Sequence, residues 1–288
     1  MLREPVADND ALARYYDLDL AGDDPGDVDM YLALADATDG TALELMAGSG
    51  RIVVPLALAG HEVVAVDNDA AMLGRAAALW RSTSDRAPKG SRAHTGGRAT
   101  KGGSAAKAGR AATGSLELVE ADATTLRLKK RFGLVFVALN GLLLLDGRAA
   151  QAELMKVAAR HLTRGGRAVF DVWLPAPDDL VLYDGRLVLD WVRDDEATGE
   201  HVAKTTSARY QPAARRAEVT SLFDAWHDGE PARRTLRIDP ISFISADELV
   251  SLAESAGLQV DQLSGDYEMG DFAAQSNRVV MVCRRFTD

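Results

Sequence analysis

The chain has 288 residues, of which 47% are hydrophobic and 26% are charged, a composition typical of a soluble globular protein. Its formal net charge of −10 disfavours nucleic acid as a partner, and no apolar run approaches the ~20 residues of a membrane span. Because the chain has one cysteine and no apolar leader, we expect a cytoplasmic protein without internal disulfides or membrane contact. The composition leaves the oligomeric state open between monomer and homodimer.

Apolar residues with helical spacing dominate the start of the chain. Residues 10–16 and 27–37 repeat apolar side chains every three or four positions, so we predict a helical region over residues 1–40. Its notable side chains are Tyr16 and Tyr31, which would either contact a ligand or pack a terminal helix against the fold.

A βαβ unit with a glycine turn follows in residues 41–67. An apolar strand leads into Gly48 and Gly50, a short helix begins at Ile52, and a second buried strand ends in Asp67. The glycines let the backbone approach a ligand, because they carry no Cβ atom and tolerate positive φ. A carboxylate at the tip of the second strand can accept hydrogen bonds from a ribose diol, so this unit predicts a site for an adenine nucleoside.

The residues of this turn discriminate between adenosine cofactors. Nicotinamide dinucleotide sites use G-x-G-x-x-G with the pyrophosphate at the helix N-terminus, but Val53 stands at the third glycine position here. Glu44 precedes Gly48 by four residues, and its charge would repel a pyrophosphate. S-adenosylmethionine, which has a cationic amine and no phosphate, fits the turn better.

Residues 82–115 differ in composition from the rest of the chain. They consist mainly of Gly, Ala, Ser, Thr, Arg and Lys, and such a segment cannot bury enough apolar surface to offset its ordering entropy. From Arg81 to Ser115, eight basic residues stand against one acidic residue, a charge of +7, which leaves about −17 on the remainder. We predict a flexible basic insertion, which would be either a tolerated loop expansion or a contact for RNA or an anionic substrate.

Three further runs predict strands of a parallel sheet, namely residues 116–121, 133–139 and 167–173. Asp122 and Ala123 follow the first of these strands, and Asn140 ends the second, whose continuous apolar character is typical of a central strand covered on both faces. A helix over residues 151–162 precedes the third strand.

The C-terminal part of the chain predicts a second, antiparallel sheet. Residues 176–240 contain four runs of alternating apolar and polar residues, as antiparallel strands do, at 186–192, 202–211, 217–226 and 233–238. Ser245 and Glu248 then form a capping box that opens a helix. Two final strands, over residues 258–267 and 277–285, would return to the main sheet as a hairpin.

These blocks together resemble the class I S-adenosylmethionine-dependent methyltransferases. Motif I of that family reads acidic-x-G-x-G-x-G, and residues 44–50 match it except that Met46 replaces the first glycine. The resemblance covers roughly residues 40–175, and the layout is closest to small-molecule N-methyltransferases with an antiparallel cap. It implies an α/β fold with a doubly wound, seven-stranded, mostly parallel sheet of order 3-2-1-4-5-7-6 and an antiparallel β insertion after strand 5.

The resemblance also divides the chain into four regions. They are a helical N-terminal lid (1–40), a cofactor-binding Rossmann-like core that holds the basic insertion (41–175), an antiparallel β cap (176–240) and a segment that completes the core sheet (241–288).

Residues that would bind S-adenosylmethionine, and its product S-adenosylhomocysteine, follow from the same resemblance. Asp67 would hold the ribose, Asp122 the adenine amino group and the Ala123 amide the adenine ring, while Gly48 and Gly50 allow close backbone approach. The remaining implied cofactor contacts are Glu44, Met46, Ala47, Arg51, Asn68, Met72, Asn140, Tyr16 and Tyr31.

The acceptor side of the site is less well marked. None of the five histidines has a setting typical of a general base; we expect His161, at a predicted helix C-terminus, to stabilise the helix dipole. No cluster has metal-ligand spacing, so we predict no metal site. The candidates are polar and aromatic residues near strand ends: Asn140, Trp173 and Tyr210 first, then Arg209, Trp226 and Tyr267.

The function that these features favour is methyl transfer from S-adenosylmethionine to a small-molecule acceptor, preferably an amine, by in-line displacement. An amine needs no strong base, because positioning can supply most of the rate. The alternatives are an RNA or protein methyltransferase that docks through the basic insertion, a non-catalytic S-adenosylmethionine-binding module, and a nicotinamide oxidoreductase, which Val53 and Glu44 disfavour.

Overall fold

The computed structural model describes residues 8–21, 26–85 and 114–286. The predicted basic insertion lies outside these residues except at its ends, where residues 82–84 continue a helix and residue 115 begins a strand.

Eleven strands and seven α-helices are present in the described ranges. The strands are β1 (Ala42–Leu45), β2 (Glu62–Asp67), β3 (Ser115–Glu120), β4 (Phe132–Val137), β5 (Leu162–Trp173), β6 (Asp184–Asp195), β7 (Glu200–Gln211), β8 (Arg216–Trp226), β9 (Arg233–Ser242), β10 (Leu258–Ser264) and β11 (Arg278–Arg285). The helices are α1 (Asn9–Leu20), α2 (Asp27–Asp36), α3 (Val53–Leu58), α4 (Ala70–Ser84), α5 (Gly147–His161), α6 (Pro177–Val181) and α7 (Ala246–Ser255), with a 3₁₀ helix at Gly141–Leu144.

The main sheet has seven strands in the order β10-β11-β5-β4-β1-β2-β3. Strands β1 to β5 pair in parallel, while β11 is antiparallel to both β5 and β10. With β10 and β11 as the sixth and seventh strands, this is the predicted order 3-2-1-4-5-7-6, which is thereby confirmed. All residues of β1 and β4 are buried, as expected for strands covered on both faces.

Helices cover both faces of this sheet, and successive residues of β4 show how. Val135 faces a core built with α5 and α7, whereas Phe136 faces the opposite core, built with α2 and α3. The Tyr31 ring of α2 stacks on Phe136 with ring centroids 4.5 Å apart. Burial of each such large side chain contributes about 1.5–3 kcal/mol to folding, so both helical layers are anchored through the central strand.

The second sheet has four antiparallel strands in the order β6-β7-β8-β9. It is the predicted antiparallel insertion, with longer strands than predicted: β6 begins at Asp184, and β9 continues to Ser242 despite Pro240. Proline is tolerated there because β9 is an edge strand. The short helix α6, which begins with Pro177, was not predicted. We call β6–β9 the cap.

Helix α1 lies between the cap and the main sheet. Its Tyr15 ring stacks on Phe223 of β8 at 5.0 Å, and its Asp19 accepts a hydrogen bond from Trp191 Nε1 at 2.7 Å. On the other side, Asp17 forms an ion pair with Arg75 of α4. The N-terminal helix therefore joins the cap to the wall of the main domain.

The expected role of His161 is wrong. Its Nε2 accepts a hydrogen bond from the Leu128 backbone N–H at 2.9 Å, so its Nδ1 carries the proton and donates to the Val157 carbonyl at 2.8 Å. Burial lowers the pKa of His161. The ring is therefore a neutral bridge to the loop before β4 and not a cation on the helix dipole.

The start of β5 also differs from the prediction. The predicted strand begins at residue 167, but β5 begins at Leu162 and pairs with Phe132 before a shift in register. The Thr163 hydroxyl donates to the Phe132 carbonyl at 3.2 Å, which holds the glycine-containing segment in the sheet.

Candidate functional site

A cavity of about 340 Å³ opens at the carboxyl ends of β1, β2 and β4. This is the edge at which ligands bind in open parallel sheets. Its floor is the turn between β1 and α3 together with the end of β2 and the segment after β4, and α1 and β9 form its roof. The wall residues are Asn9, Leu12, Ala13, Tyr16, Glu44, Met46, Ala47, Gly48, Ser49, Arg51, Ile52, Asp67, Asn68, Asp69, Met72, Ala138, Leu139, Gly141, Leu144, Arg237, Ile238 and Asp239.

The glycine turn serves two purposes. Gly48 has φ +55° and lies on the cavity wall, where a Cβ atom would have no protein neighbour within 4 Å. Gly50 has φ +87°, and a Cβ there would lie 2.8 Å from the Ala76 side chain of α4. Gly48 thus leaves room for a ligand, whereas Gly50 permits close packing of the turn against α4.

Asp67 is held in a fixed orientation by the backbone. Its Oδ2 accepts from the Gly48 N–H at 2.8 Å, and its Oδ1 accepts from the Asp69 N–H at 2.9 Å. An ionised carboxylate offers about four acceptor positions, so each oxygen keeps capacity for a further donor. This arrangement suits the two hydroxyls of a ribose.

Met46 occupies the position of the missing motif glycine. It has φ +62°, a conformation that costs an L-residue roughly 1–2 kcal/mol. Its side chain lies beside Gly141, where an added Cβ would be 3.6 Å from Met46 Cβ and 3.0 Å from Val137. A side chain at Gly141 would therefore crowd Val137 first, while it would meet Met46 at ordinary van der Waals distance.

Glu44 is a buried carboxylate on the cavity wall. It is 3% exposed, and its Oε2 has no hydrogen-bond partner among the described residues. Burial raises the pKa of Glu44 well above its usual range, although the nearby Arg51 charge opposes this rise. A cationic ligand group beside Oε2 would satisfy this oxygen.

Arg51 links the site to helix α2. Its Nη1 donates to Asp27 Oδ1 at 2.8 Å, and its Nη2 bonds the second oxygen of the same carboxylate. Asp27 is fully buried at the first residue of α2. Such a bidentate pair is strong and directional, and it fixes the Arg51 side chain along the wall.

The segment after β4 is held in an unusual backbone conformation. Leu139 and Asn140 both have positive φ, at +45° and +66°. Buried Asp171 of β5 accepts hydrogen bonds from the Leu139 N–H at 3.0 Å and the Tyr267 hydroxyl at 2.8 Å, and it pairs with Arg278. Strain of this kind persists only where the surroundings hold it, and here it places Leu139 and Gly141 on the cavity wall.

Most of the predicted cofactor residues meet in this one cavity. The wall contains Tyr16, Glu44, Met46, Ala47, Gly48, Arg51, Asp67, Asn68 and Met72. The predicted cofactor residues away from the wall are Tyr31, Gly50, Asp122, Ala123 and Asn140. Tyr31 is fully buried against Phe136, Asp122 accepts hydrogen bonds from Thr124, and Asn140 Oδ1 accepts from the Trp173 N–H. Their contacts with a cofactor stay predictions.

The predicted acceptor residues lie outside the cavity wall. Trp173 and Tyr210 pack with Tyr183 and Phe243 in an aromatic cluster. Arg209 adjoins Gly185, Tyr267 bonds Asp171, and Trp226 packs on His201.

The sequence analysis named Tyr16 of α1 as a cofactor contact, but it missed the other residues of the roof. They come from α1 (Asn9, Leu12 and Ala13) and from β9 (Arg237, Ile238 and Asp239). Residues 237–239 carry one signal in the sequence. Arg237 and Asp239 are two positions apart on a strand, so their charged side chains share one face.

The described residues hold no group of three His, Cys, Asp or Glu side chains that could bind a metal ion. No helix in the described ranges is long and apolar enough to span a membrane.

Neither a protein-family model nor a curated protein matches the chain. Solved structures do. An S-adenosylmethionine-dependent methyltransferase from Clostridium acetobutylicum ATCC 824 is similar with a TM-score of 0.71 and 16% identity, over 96% of this chain and 98% of that one. The CcbJ methyltransferase from Streptomyces caelestis has a TM-score of 0.67 and 22% identity, over 92% and 97%. The sugar N-methyltransferase KedS8 from Streptoalloteichus sp ATCC 53650 has a TM-score of 0.67 and 17% identity, over 99% of this chain and 96% of that one. The similarity spans both sheets, and the chain has the fold of the class I S-adenosylmethionine-dependent methyltransferases.

Proposed function

We propose that this protein transfers a methyl group from S-adenosylmethionine to a small-molecule amine. The observation that carries the proposal is the pairing of two carboxylates on one cavity wall. Asp67 is oriented by backbone amides with acceptor capacity to spare, and Glu44 is buried with one oxygen unpartnered.

The end of the cavity near β2 suits the adenosine part of the cofactor. The spare acceptor positions of Asp67 match a ribose diol, and Asn68 and Met72 line the adjoining wall. Met72 offers an apolar surface, which a flat adenine ring can cover. Gly48 leaves the backbone open between the two groups.

The end near Glu44 suits the amino-acid part. An isolated buried carboxylate is costly, and an ammonium group beside Oε2 would offset that cost through a charge-assisted hydrogen bond. A dinucleotide would instead bring its pyrophosphate close to Glu44, Asp67 and Asp69, which are all on the wall. When bound, S-adenosylmethionine supplies an electrophilic methyl group on its sulfonium sulfur.

The shape of the cavity favours a small acceptor. The roof formed by α1 and β9 restricts it to about 340 Å³, and a cofactor would occupy a large part of this space. No histidine is among the described wall residues, so an amine that arrives deprotonated is a better acceptor than a hydroxyl that needs a base. Two structural relatives point the same way, KedS8 as a sugar N-methyltransferase and CalS10 as an amino pentose methyltransferase.

Calorimetric titration with S-adenosylhomocysteine, with NAD as the comparison ligand, tests the cofactor assignment. We expect micromolar binding of S-adenosylhomocysteine alone. Asp67→Asn should weaken it at least tenfold, because the amide replaces one acceptor oxygen with a donor. Glu218→Gln, which changes an exposed carboxylate on β8, should have no effect, and a preference for NAD would refute the proposal.

A larger acceptor, an RNA or a protein, would require docking outside the cavity. Such docking would use the basic segment 86–113. Replacement of residues 86–113 by a short glycine-serine linker should leave methylation of a small amine unchanged. Loss of that activity, with S-adenosylhomocysteine binding retained, would favour the larger acceptor.

A further inference from the structure

Three consecutive residues of the cap strand β9 line the cavity, and none of them contacts the cofactor in the proposed function. Arg237, Ile238 and Asp239 lie on the wall opposite the glycine turn. β9 is the edge strand of the cap and contacts both α1 and the 3₁₀ helix after β4. β9 therefore passes over the cavity between α1 and the end of β4.

Arg237 and Asp239 form an ion pair that uses only part of the hydrogen-bonding capacity of the two side chains. Arg237 Nε is 2.8 Å from Asp239 Oδ1 and 2.7 Å from Oδ2, and the two side chains are 28% and 26% exposed. Neither terminal nitrogen of Arg237 bonds to another described residue. The pair thus keeps free guanidinium donors and free carboxylate acceptors side by side.

Arg237 shares the cavity wall with charged and polar residues of other elements. Tyr16, Glu44 and Arg51 all lie on this wall. Burial raises the pKa of Tyr16, and the charges of Arg51, Glu44 and Arg237 all act on its phenol. Arg237 therefore acts on the same phenol as Glu44 and Arg51, and it shares the cavity wall with them.

The charge of the pair restricts what it can bind. A lone anion at Arg237 would meet the Asp239 carboxylate, and a lone cation at Asp239 would meet the guanidinium. A hydroxyl avoids both conflicts, because it can donate to Asp239 while its oxygen accepts from Arg237. Leu144, which is 40% exposed, lies on the same cavity wall, so an apolar carbon skeleton would find contact there.

We propose that Arg237 and Asp239 select acceptors that carry a hydroxyl group next to the amine. This inference rests on the proposed function, since the amine must face the methyl group on the cofactor side while the hydroxyl is held by β9. The acceptor class is accordingly a 1,2-amino alcohol, of which amino sugars are one example. Arg237 and Asp239 act here as specificity residues and are assigned no part in proton transfer.

The test compares two amines that differ by that hydroxyl. trans-2-Aminocyclohexanol and cyclohexylamine are supplied with radiolabelled S-adenosylmethionine, and kcat/KM is measured for each. We expect the wild-type protein to prefer the amino alcohol at least tenfold. Arg237→Ala and Asp239→Asn should each reduce this preference to about one, mainly through KM, and should change the S-adenosylhomocysteine Kd less than twofold.

A second arginine–aspartate pair on the same sheet provides the matched control. Arg234 of β9 bonds Asp224 of β8 at 2.7–2.8 Å, and neither residue is on the cavity wall. Arg234→Ala and Asp224→Asn should leave the preference unchanged.

Several results would overturn the inference without touching the cofactor assignment. They are an equal rate with both amines in the wild-type protein, a preference that survives in the Arg237 and Asp239 variants, or methylation of neither amine while S-adenosylhomocysteine still binds. Weaker S-adenosylhomocysteine binding by Arg237→Ala, with the preference intact, would place Arg237 on the cofactor instead. Failure of the wild-type protein to bind S-adenosylhomocysteine would refute the proposed function itself.

Discussion

Two carboxylates at the ends of neighbouring strands differ in how the fold satisfies them. Asp67 receives two backbone hydrogen bonds, whereas Glu44 keeps an unpartnered oxygen in a buried position. The first is held so that its oxygens can accept further hydrogen bonds. The second resists ionisation until a cation reaches it, so cofactor binding should be coupled to a proton at Glu44.

Affinity for S-adenosylhomocysteine should therefore depend on pH through Glu44. Burial raises the pKa of Glu44 well above its usual range, and the ligand ammonium favours the ionised carboxylate, so binding releases a proton at pH values below that raised pKa. Affinity should rise with pH and level off above it. Calorimetry between pH 5 and 8, in buffers of different ionisation enthalpy, counts the proton released.

Glu44→Gln provides the matched variant for this prediction. It should bind more weakly at high pH, by about 1.5–3 kcal/mol for a lost charge-assisted hydrogen bond, and the proton release should disappear. An unchanged pH dependence in Glu44→Gln would show that another group takes part.

Elements whose ends are marked by local chemistry could be predicted from the sequence. Helix α7 begins as the Ser245 and Glu248 capping box indicated, with the Glu248 N–H 3.3 Å from Ser245 Oγ. The start of β5 and the role of His161 could not, because the first depends on pairing with Phe132 of β4 and the second on the Leu128 N–H in the loop before β4. Helical and strand preferences at residues 161–166 were overridden by pairing with a distant segment.

The capping box of α7 should make the free energy of unfolding depend on pH in the acidic range. Burial opposes ionisation of Glu248, but hydrogen bonds from Arg215 and the Ser245 backbone outweigh it and lower the pKa of Glu248 to about 2. Its stabilisation is fully present above the usual carboxyl pKa of ~4.3 and is lost as the pH falls toward 2. Urea unfolding at pH 7 and pH 3 should show a larger loss for Glu248→Gln at pH 7.

Two other substitutions on this helix calibrate that measurement. Ser245→Ala should cost about 1 kcal/mol, the usual value of an N-cap. Glu254→Gln, at an exposed position of α7, should cost almost nothing at either pH. Equal losses for Glu248→Gln and Glu254→Gln would contradict the assigned hydrogen bonds.

At the scale of the whole molecule, the position of the cap decides which residues complete the site. The sequence predicted the strands of both sheets, because strand periodicity and turn residues are local, and the family resemblance implied the strand order of the main sheet. The family resemblance implied an N-terminal lid, but nothing in the sequence identified β9 as its partner or the contacts that hold α1 to the cap, since these join segments more than 170 residues apart, such as Trp191 with Asp19 at a separation of 172 residues. The residues of the cavity floor were therefore largely predictable, whereas most residues of the roof were not.

Separation of α1 from the cap should weaken cofactor binding. Trp191 holds α1 through its hydrogen bond to Asp19 and also packs near Phe223. Trp191→Ala removes both contacts, so the roof residues of α1 lose their support. We expect severalfold weaker binding of S-adenosylhomocysteine in calorimetry, and faster cleavage of α1 by protease.

Trp191→Phe keeps the ring but loses the N–H donor, and its effect should be smaller. Wild-type affinity in Trp191→Ala would show that α1 holds its position over the cavity without the cap.

The attachment of α1 to the cap has a consequence for the order of events in turnover. α1 and β9 both line the cavity, and the Tyr15–Phe223 stack joins α1 to the cap, so we expect the two elements to move together as one gate over the cavity. An acceptor bound beneath β9 would keep that gate closed over the cofactor. We therefore expect a compulsory sequence, in which S-adenosylmethionine binds before the acceptor and S-adenosylhomocysteine leaves after the methylated product.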